Sequence, residues 1–298
     1  MRPPPRCGEI ATMTTSLERP RPHEIPAALT ALRDWQHDGA VMQLHPGDLG
    51  WYHRFGADTA ADATRTWSRD GRILAVGLLD GPDLLRLTTA PDARDDRALA
   101  ERIADDLADP DRGVLPAGRV NVEAPADAAL QDVLAERGWP TDDPWTPLRR
   151  DLTDPVEDPG VHIETVGPDR VQDRVDIHVA SFDQTTFTVE RWHAMAAGAA
   201  YTDARCLVAY DDGVPVAGVT VWSAGPGRPG LLEPMGAHRD HRGRGFGRAI
   251  TIAAAAALRD LGASSAVVAT PSDNPGAVAT YASGGFTAGP EIRDRYRP

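Results

Sequence analysis

The stretch that decides the fold of this chain is Glu233-Pro-Met-Gly-Ala-His-Arg-Asp-His-Arg-Gly-Arg-Gly-Phe-Gly-Arg248, and the alanine-rich run Ala249–Leu258 follows it directly. A short apolar segment leads into a loop of glycines and arginines and then into a segment of strong helix formers. Glycine lets the backbone approach a ligand closely, and free N–H groups at a helix N-terminus attract anions. Because arginine adds charge-assisted contacts to phosphate, the stretch predicts a strand, a pyrophosphate-binding loop and a helix.

A second motif lies downstream of this loop. It reads Asn274-Pro-Gly-Ala-Val-Ala-Thr-Tyr281 and is followed by Gly285-Phe286. Together with Arg242-x-x-Gly245-x-Gly247 between a strand and a helix, it resembles the acyl-CoA signature of the GNAT superfamily of N-acyltransferases, over residues 161–298. The resemblance implies an α+β domain with a mixed, mostly antiparallel sheet flanked by helices. It also implies transfer of an acetyl or other acyl group from acyl-CoA to an amine.

The resemblance assigns CoA-binding roles to two segments. Backbone amides of residues 243–248 would hold the pyrophosphate, and the strand before the loop would offer its N–H and C=O groups to the pantetheine. Asn274 would hydrogen-bond the pantetheine, and Tyr281 would protonate the departing thiolate. The implied acetyl-CoA site comprises Met235, Gly236, Ala237, Arg242, Gly243, Arg244, Gly245, Phe246, Gly247, Arg248, Asn274 and Tyr281. No metal is expected.

The acceptor amine needs a base, because an ammonium group with a pKa near ~10 cannot attack a thioester. Glu233 stands just before the pantetheine strand and is the first candidate for that base. Alternatively, Glu233 only orients the substrate or pairs with an arginine. His238 and His241 can also titrate, but they flank the phosphate loop, which favours an exposed loop role.

The acceptor pocket is expected around Ser181-Phe-Asp-Gln-Thr-Thr-Phe187, with Asp183 contacting a cationic group. An apolar wall could be formed by Phe182, Phe187, Trp192 and Trp222. Aromatic residues at these spacings are more often ordinary core, so none of them is singled out. The sequence leaves the acceptor open: a small-molecule amine is favoured, and a protein amine fits as well.

The first half of the chain repeats the order of elements found in the second. Arg94 and Arg242 lie 148 residues apart, each before a helix, and Gly138 and Gly285 lie 147 residues apart, each after a helix. The offset predicts two tandem GNAT-like domains, and a chance agreement in element order is the alternative. We expect disorder at 1–22, a degenerate first domain at 23–150, a linker at 151–160 and a catalytic second domain at 161–298.

The first half has lost the residues that a phosphate site needs. At the same offset it has Arg97 for Gly245, Leu99 for Gly247, Asp127 for Asn274 and Leu134 for Tyr281. Asp95 and Asp96 also place negative charge where phosphates would lie. We therefore predict that the first half does not bind acyl-CoA, and that it supports the second half and walls its acceptor cleft.

Composition and charge bear on the possible partners. The 298 residues, 41% of them hydrophobic, suit two ordinary domains, and no apolar run reaches the ~18 residues of a membrane span. Residues 161–298 contain 15 of the 44 acidic residues and 13 of the 31 basic residues, which gives them a net charge of −2. Residues 1–160 carry the remaining net charge of −11. An acidic surface repels nucleic acid and anionic membranes, so we expect neither partner and mildly favour a cationic acceptor.

The remaining features point to a cytoplasmic protein. Prolines stand near Met1 where a signal peptide needs an apolar core, and Cys206 lies in an apolar run typical of a buried small side chain. A duplication can replace a homodimer, which slightly favours a monomer. The leading hypothesis is an acetyl-CoA-dependent N-acetyltransferase that works by direct attack, with the second domain active. The alternative is a CoA-binding sensor or accessory module without turnover.

Overall fold

The computed structural model describes residues 14–298. Within that range the strands are β1 (Ser16–Glu18), β2 (Thr64–Arg69), β3 (Arg72–Leu79), β4 (Leu84–Thr89), β5 (Val120–Glu123), β6 (Thr141–Asp151), β7 (His162–Thr165), β8 (Ala204–Asp211), β9 (Val214–Ser223), β10 (Gly230–Ala237), β11 (Ser265–Pro271), β12 (Thr287–Ala288) and β13 (Ile292–Arg297). The α-helices are α1 (Ile25–Trp35), α2 (Pro46–Tyr52), α3 (Ala57–Ala63), α4 (Arg97–Ala108), α5 (Ala129–Glu136), α6 (Val171–Ser181), α7 (Val189–Ala196), α8 (Phe246–Asp260) and α9 (Pro275–Ser283).

Most elements fall where the sequence pattern predicts them. The strand, glycine loop and helix of the opening stretch are β10, residues 238–245 and α8. Thr188 caps α7 by accepting a hydrogen bond from the Arg191 amide at 3.3 Å. Cys206 is fully buried, as predicted. Strands β1 and β2 and helices α2 and α3 were not predicted from the sequence. The prediction of disorder is wrong for residues 14–22, because β1 lies there and pairs with β2. Residues 1–13, the rest of that predicted segment, lie outside the described range.

All but one of the described strands lie along a single path through one sheet. Its order is β1-β2-β3-β4-β5-β13-β6-β11-β10-β9-β8-β7, and β12 pairs with β6 beside that path. Pairing is antiparallel except between β4 and β5 and between β10 and β11. These two parallel pairs occupy matching places in the two halves, which gives the sheet an internal two-fold order.

The last strands of the two halves are exchanged at the centre of the sheet. β6 ends the first half by sequence, yet its residues 145–151 pair with β11 of the second half. β13 ends the second half, and its residues 295–297 pair with β5 of the first half. Each half therefore completes the sheet of the other. Neither half keeps all its backbone hydrogen bonds when it is cut away from the chain.

A second connection between the halves comes from helix α2. Gly47 and Gly50 lie three residues apart on one face of this helix, and a Cβ at either position would lie within 2.5 Å of the Trp222 side chain. Trp222 is 1% exposed and belongs to β9 of the second half. The two glycines thus let α2 of the first half lie directly on the second half, next to β10. No α-helix within residues 14–298 is long and apolar enough to cross a membrane.

Candidate active site

The site begins where strands β10 and β11 separate. They pair only at Gly230 with Ala266 and at Leu231 with Val267. Beyond these residues β10 continues along β9 and β11 continues along β6, so the two facing edges of β10 and β11 diverge. An extended ligand with amide groups can enter such an opening and hydrogen-bond to the free edges.

The glycine loop closes one end of this opening. Gly243 and Gly245 have φ values of 74° and 88°, a region that other residues rarely adopt, and open space surrounds the position of a Cβ at each. Gly245 precedes α8, a helix of 15 residues, so the N–H groups of its first turn face the loop. Gly247 serves a different purpose, because a Cβ there would lie 2.9 Å from the Thr280 methyl group of α9.

The three arginines of the loop already make contacts within the protein. Arg242 donates to the Ser181 carbonyl at 3.1 Å, and Arg244 pairs with Asp211 at 2.7 Å. Arg248 donates to the Ser283 carbonyl at 2.9 Å. All three side chains are exposed, and their role toward phosphate stays a prediction.

The opening and the loop form one groove of about 720 Å³, which we call the CoA groove. It is lined by Ser181, Phe182, Met235, Gly236, Ala237, His241, residues 242–243, residues 245–248, the cap residue Asn274 and five residues of α9. The predicted residues Met235, Gly236, Ala237, Arg242, Gly243, Gly245, Phe246, Gly247, Arg248 and Asn274 therefore meet on one surface. Two predicted residues, Arg244 and Tyr281, are not part of the lining.

Asn274 and Tyr281 lie at the start and near the end of α9. The Asn274 side-chain oxygen caps the helix by accepting from the Ala277 amide at 3.1 Å, and its amino group faces the groove lining without a partner among the described residues. Tyr281 is 6% exposed, packs against Phe286, and its hydroxyl has no hydrogen-bond partner in residues 14–298. Burial, and then the nearby Glu233 carboxylate, raise the pKa of Tyr281. The phenol therefore keeps its proton.

Glu233 lies at a break in the β10 ladder. Leu232 pairs with Val221 and Met235 with Val219, so two residues of β10 bulge opposite one of β9. The Trp222 indole N–H donates to the Glu233 carbonyl at 2.7 Å and fixes the bulge. The Glu233 carboxylate has no hydrogen bond or ion pair within the described chain.

A smaller cavity of about 200 Å³ lies at this bulge, and we call it the inner cavity. Glu233 lines it together with Trp145 and Ile292, and it shares Phe182 and Met235 with the CoA groove. Burial raises the pKa of Glu233, an effect that the positive charge of Arg86 opposes. A carboxylate with a raised pKa is a stronger base than an exposed one.

The first half supplies the other charged groups of the inner cavity. Arg86 of β4 pairs with Asp48 at 2.8 Å, with Asp80 at 3.2 Å and with Glu123 at 3.3 Å. Burial raises the pKa of Asp48 to about 7, against the pull of Arg86. Asp48 and Arg86 were not predicted from the sequence because no motif marks them. The Gly-x-x-Gly spacing around Asp48 is a local signal that indicates a close helix contact.

The other sequence candidates fall in different places. Phe182 is 36% exposed and lines both cavities, whereas Phe187, Trp192 and Trp222 are core side chains. Asp183 is not in the inner cavity: its side chain is 91% exposed and lies 3.4 Å from Arg239. Asp183 thus lies outside the inner cavity, and its role toward a cationic acceptor stays a prediction. His238 and His241 lie at the phosphate loop, away from the inner cavity.

The matching region of the first half is filled by its own side chains. Asp96 caps α4 by accepting from the Leu99 amide at 2.9 Å, and it pairs with Arg69 at 2.8 Å. A carboxylate therefore occupies the helix N-terminus where a phosphate would bind. Arg94 pairs with Asp127 at 2.7 Å and donates to the Gln43 side chain at 2.8 Å. Within residues 14–298 no group of three or more His, Cys, Asp or Glu side chains is placed to hold a metal ion.

Comparison with known proteins identifies the second half. The model of the family described as Acetyltransferase (GNAT) family matches residues 171–286. Residues 171–286 belong to the GNAT family. This agrees with the glycine loop, the opening between β10 and β11, and the bulge, all of which lie within the matched range. No curated protein matches the chain.

Solved structures extend the likeness to the first half. A tandem GNAT protein from the clavulanic acid biosynthesis pathway is similar over 95% of this chain and 98% of its own, with 16% identity and a TM-score of 0.59. A GCN5-related N-acetyltransferase from Sphaerobacter thermophilus covers 95% of both chains, with 18% identity and a TM-score of 0.57. A GNAT-family acetyltransferase from Colwellia psychrerythraea has 14% identity and a TM-score of 0.57, over 95% of this chain and 99% of its own. At these identities the likeness shows the fold, and it confirms the predicted tandem GNAT architecture.

Proposed function

We propose that this protein transfers an acetyl group from acetyl-CoA to a primary amine, and that only its second domain carries out the reaction. The observation that carries the proposal is the meeting of two cavities at Met235 and Phe182. On one side lies the CoA groove with its glycine loop, and on the other lies the inner cavity with an unpaired Glu233. A binding module needs the groove alone, whereas a transferase needs a second, chemically equipped cavity at the reacting end.

The residues of the chain fit the CoA part of acetyl-CoA. The free β10 edge suits the amides of pantetheine, and the free N–H groups at the start of α8 suit pyrophosphate. Gly243 and Gly245 leave the space that phosphates need, since nothing lies within 4 Å of a Cβ built at either position. The pantetheine would end near Met235, beside the inner cavity.

The reaction follows as a direct displacement. Glu233 takes a proton from the ammonium group, and the amine nitrogen then attacks the thioester carbonyl carbon. Backbone N–H groups of the β10 segment stabilise the developing negative charge on the carbonyl oxygen. The carbon–sulfur bond breaks as Tyr281 donates its proton to the departing sulfur. The Tyr281 phenolate then takes the second proton from the former amine nitrogen, and Glu233 releases its proton to solvent. The products are an amide and the free thiol of CoA.

The first domain would serve as a wall and not as a second active site. Asp96 and the Arg94–Asp127 pair occupy its former cradle. At the same time α2 and β4 deliver Asp48 and Arg86 to the inner cavity. These contacts support a role in shaping the acceptor side.

The test is thiol release from acetyl-CoA in the presence of a library of primary amines. The proposal expects release with some amines, and a Tyr281→Phe variant that binds CoA normally but turns over more slowly. Stoichiometric CoA binding with no thiol release for any amine would instead support a sensor or accessory module.

A further inference from the structure

The inner cavity opens outward into a cleft of about 600 Å³ between the two halves, which we call the acidic cleft. The linings of the two spaces share Trp145 and Asp294, so the spaces lie side by side, and we call the two together the passage. The charged side chains that line the cleft are all aspartates, namely Asp80, Asp83, Asp142, Asp143, Asp273 and Asp294. The cleft at the solvent end is thus lined by negative charge, whereas the inner cavity also contains Arg86, paired with Asp48, Asp80 and Glu123.

Most of this charge is uncompensated. Asp80 pairs with Arg86 and Asp142 with Arg119, at 3.2 and 3.3 Å. The remaining four aspartates have no ion pair within residues 14–298: Asp83, Asp143, Asp273 and Asp294. Burial raises the pKa of Asp294 to about 7, with a further contribution from Glu123. Like charges gathered around a low-dielectric passage repel one another, and a bound cation would relieve that repulsion.

A second observation separates this cleft from an ordinary solvated acidic surface. The passage ends at Glu233, a largely buried carboxylate with no partner in the described chain, and Glu233 adjoins the CoA groove. Deeper in the passage Asp48 is 7% exposed and faces the same cavity. Because Arg86 faces three carboxylates and Glu233 is unpaired, the net charge stays negative along the path that an acceptor must take.

The walls of the inner cavity indicate the shape of that acceptor. Between the Glu233 end and the cleft, the cavity is narrow, about 200 Å³, and its apolar sides include Leu231, Trp145 and Ile292. An unbranched alkyl chain can pass along such walls while charged groups at its two ends meet carboxylates.

We propose that the acceptor is a small linear amine with at least two cationic groups. The reacting amine lies at Glu233, and a second cation lies in the acidic cleft beside Asp294. This inference rests on the proposed function, because it names the acceptor of the same site. Each additional ammonium group gains attraction from carboxylates that a monoamine of equal length leaves unpaired.

The experiment compares matched amines on the full chain. Pentylamine and 1,5-diaminopentane differ by one terminal ammonium group, and so do hexylamine and 1,6-diaminohexane. We expect kcat/KM to be at least about tenfold higher for each diamine, and the ratio to shrink as salt rises from about 50 to 500 mM. Equal values within each pair would overturn the inference and leave the acetyltransferase proposal intact. An aminosugar with equal charge preferred over the diamines would overturn the linear shape.

Variants of the cleft test the assignment of the second cation. Asp294→Asn and the double change Asp143→Asn with Asp273→Asn should each lower the diamine-to-monoamine ratio by several fold. The matched control Asp154→Asn removes the same charge from an exposed loop position and should leave the ratio unchanged. Should no amine react at all, the proposed function fails. Calorimetry of diamine and monoamine binding then decides the present inference alone, since a preference for the diamine that Asp294→Asn abolishes supports it and its absence refutes it.

Discussion

Asp294→Asn offers a direct measure of the charge stored at the mouth of the inner cavity. Asp294 stands on β13 without a hydrogen bond or ion pair in the described chain, and burial raises its pKa from 3.8 to about 7. Folding therefore favours the protonated form of Asp294, and the charged form lowers the stability of the fold. The stability that this group retains at low pH is lost as pH rises from about 4 through 7. Asparagine is neutral and similar in size, so it avoids the loss.

The magnitude follows from the pKa difference. A rise of about 3 units corresponds to about 4 kcal/mol at 1.36 kcal/mol per unit. The side chain keeps part of its solvent contact, so screening reduces this to about 2 kcal/mol. We expect Asp294→Asn to raise the free energy of unfolding by about 2 kcal/mol at pH 8.5 and by almost nothing at pH 4.

The assay is urea unfolding of both chains by tryptophan fluorescence at pH 4, 6 and 8.5, with Asp154→Asn as the control for loss of one exposed charge. Comparing variant with wild type at each pH cancels the titration of groups common to both. A variant that is no more stable than wild type at pH 8.5, or equally stabilised at every pH, would refute the reasoning. A stabilising change that also weakens diamine selectivity would show that the carboxylate is retained for binding.

Four further results are expected. Tyr281→Phe should lower kcat by about 10²-fold while the CoA dissociation constant changes less than about threefold, because the phenol acts only on the departing thiolate. Equal losses in kcat and in CoA affinity would contradict that role. Glu233→Gln should lower kcat by a similar ~10²-fold. In a pH–rate profile of the wild type, kcat/KM should rise with pH through the raised pKa of Glu233. The variant should lack this rise. Gly245→Val forces a branched side chain to a φ of 88° and should abolish CoA binding in calorimetry, since we found no second glycine cradle in residues 14–298. One CoA still bound would show that the first domain can bind it. Truncation after Glu291 removes β13 and should lower the melting temperature of both halves together, by at least about 10 °C. A lower melting temperature of the second half alone would contradict the strand exchange.

Much of the second domain follows from local sequence. The glycines before α8 need conformations or space that other residues lack, and Asn274 caps α9 through a side chain placed for it. Such features act over a few residues, so the sequence alone predicts the order β10, loop, α8, β11 and α9. The absence of a phosphate-binding loop from the first half was also predictable. Asp96 places a negative charge at the start of α4, where a phosphate-binding loop needs an uncharged helix N-terminus.

Side chains that meet across the two halves could not be found in this way. Asp48 and Arg86 reach Glu233 from α2 and β4, elements separated from it by well over one hundred residues, and no local pattern encodes that distance. The position of Asp183 was not predictable for the same reason, since its neighbours in sequence lie at the CoA groove while its carboxylate lies beside Arg239 at the surface. The exchange of β6 and β13 was hidden as well, because a strand carries its own pattern of alternation and not the identity of its partner.

The sequence by itself predicts which half of this protein binds acyl-CoA, because that prediction depends on backbone freedom and on donors within one loop and two helix starts. Only the tertiary structure decided what surrounds Glu233. The inner cavity and the acidic cleft arise where α2, β4, β6 and β13 pack beside the bulge of β10. Charge at such a junction is set by long-range packing, in which aspartates far apart along the chain come to face one passage.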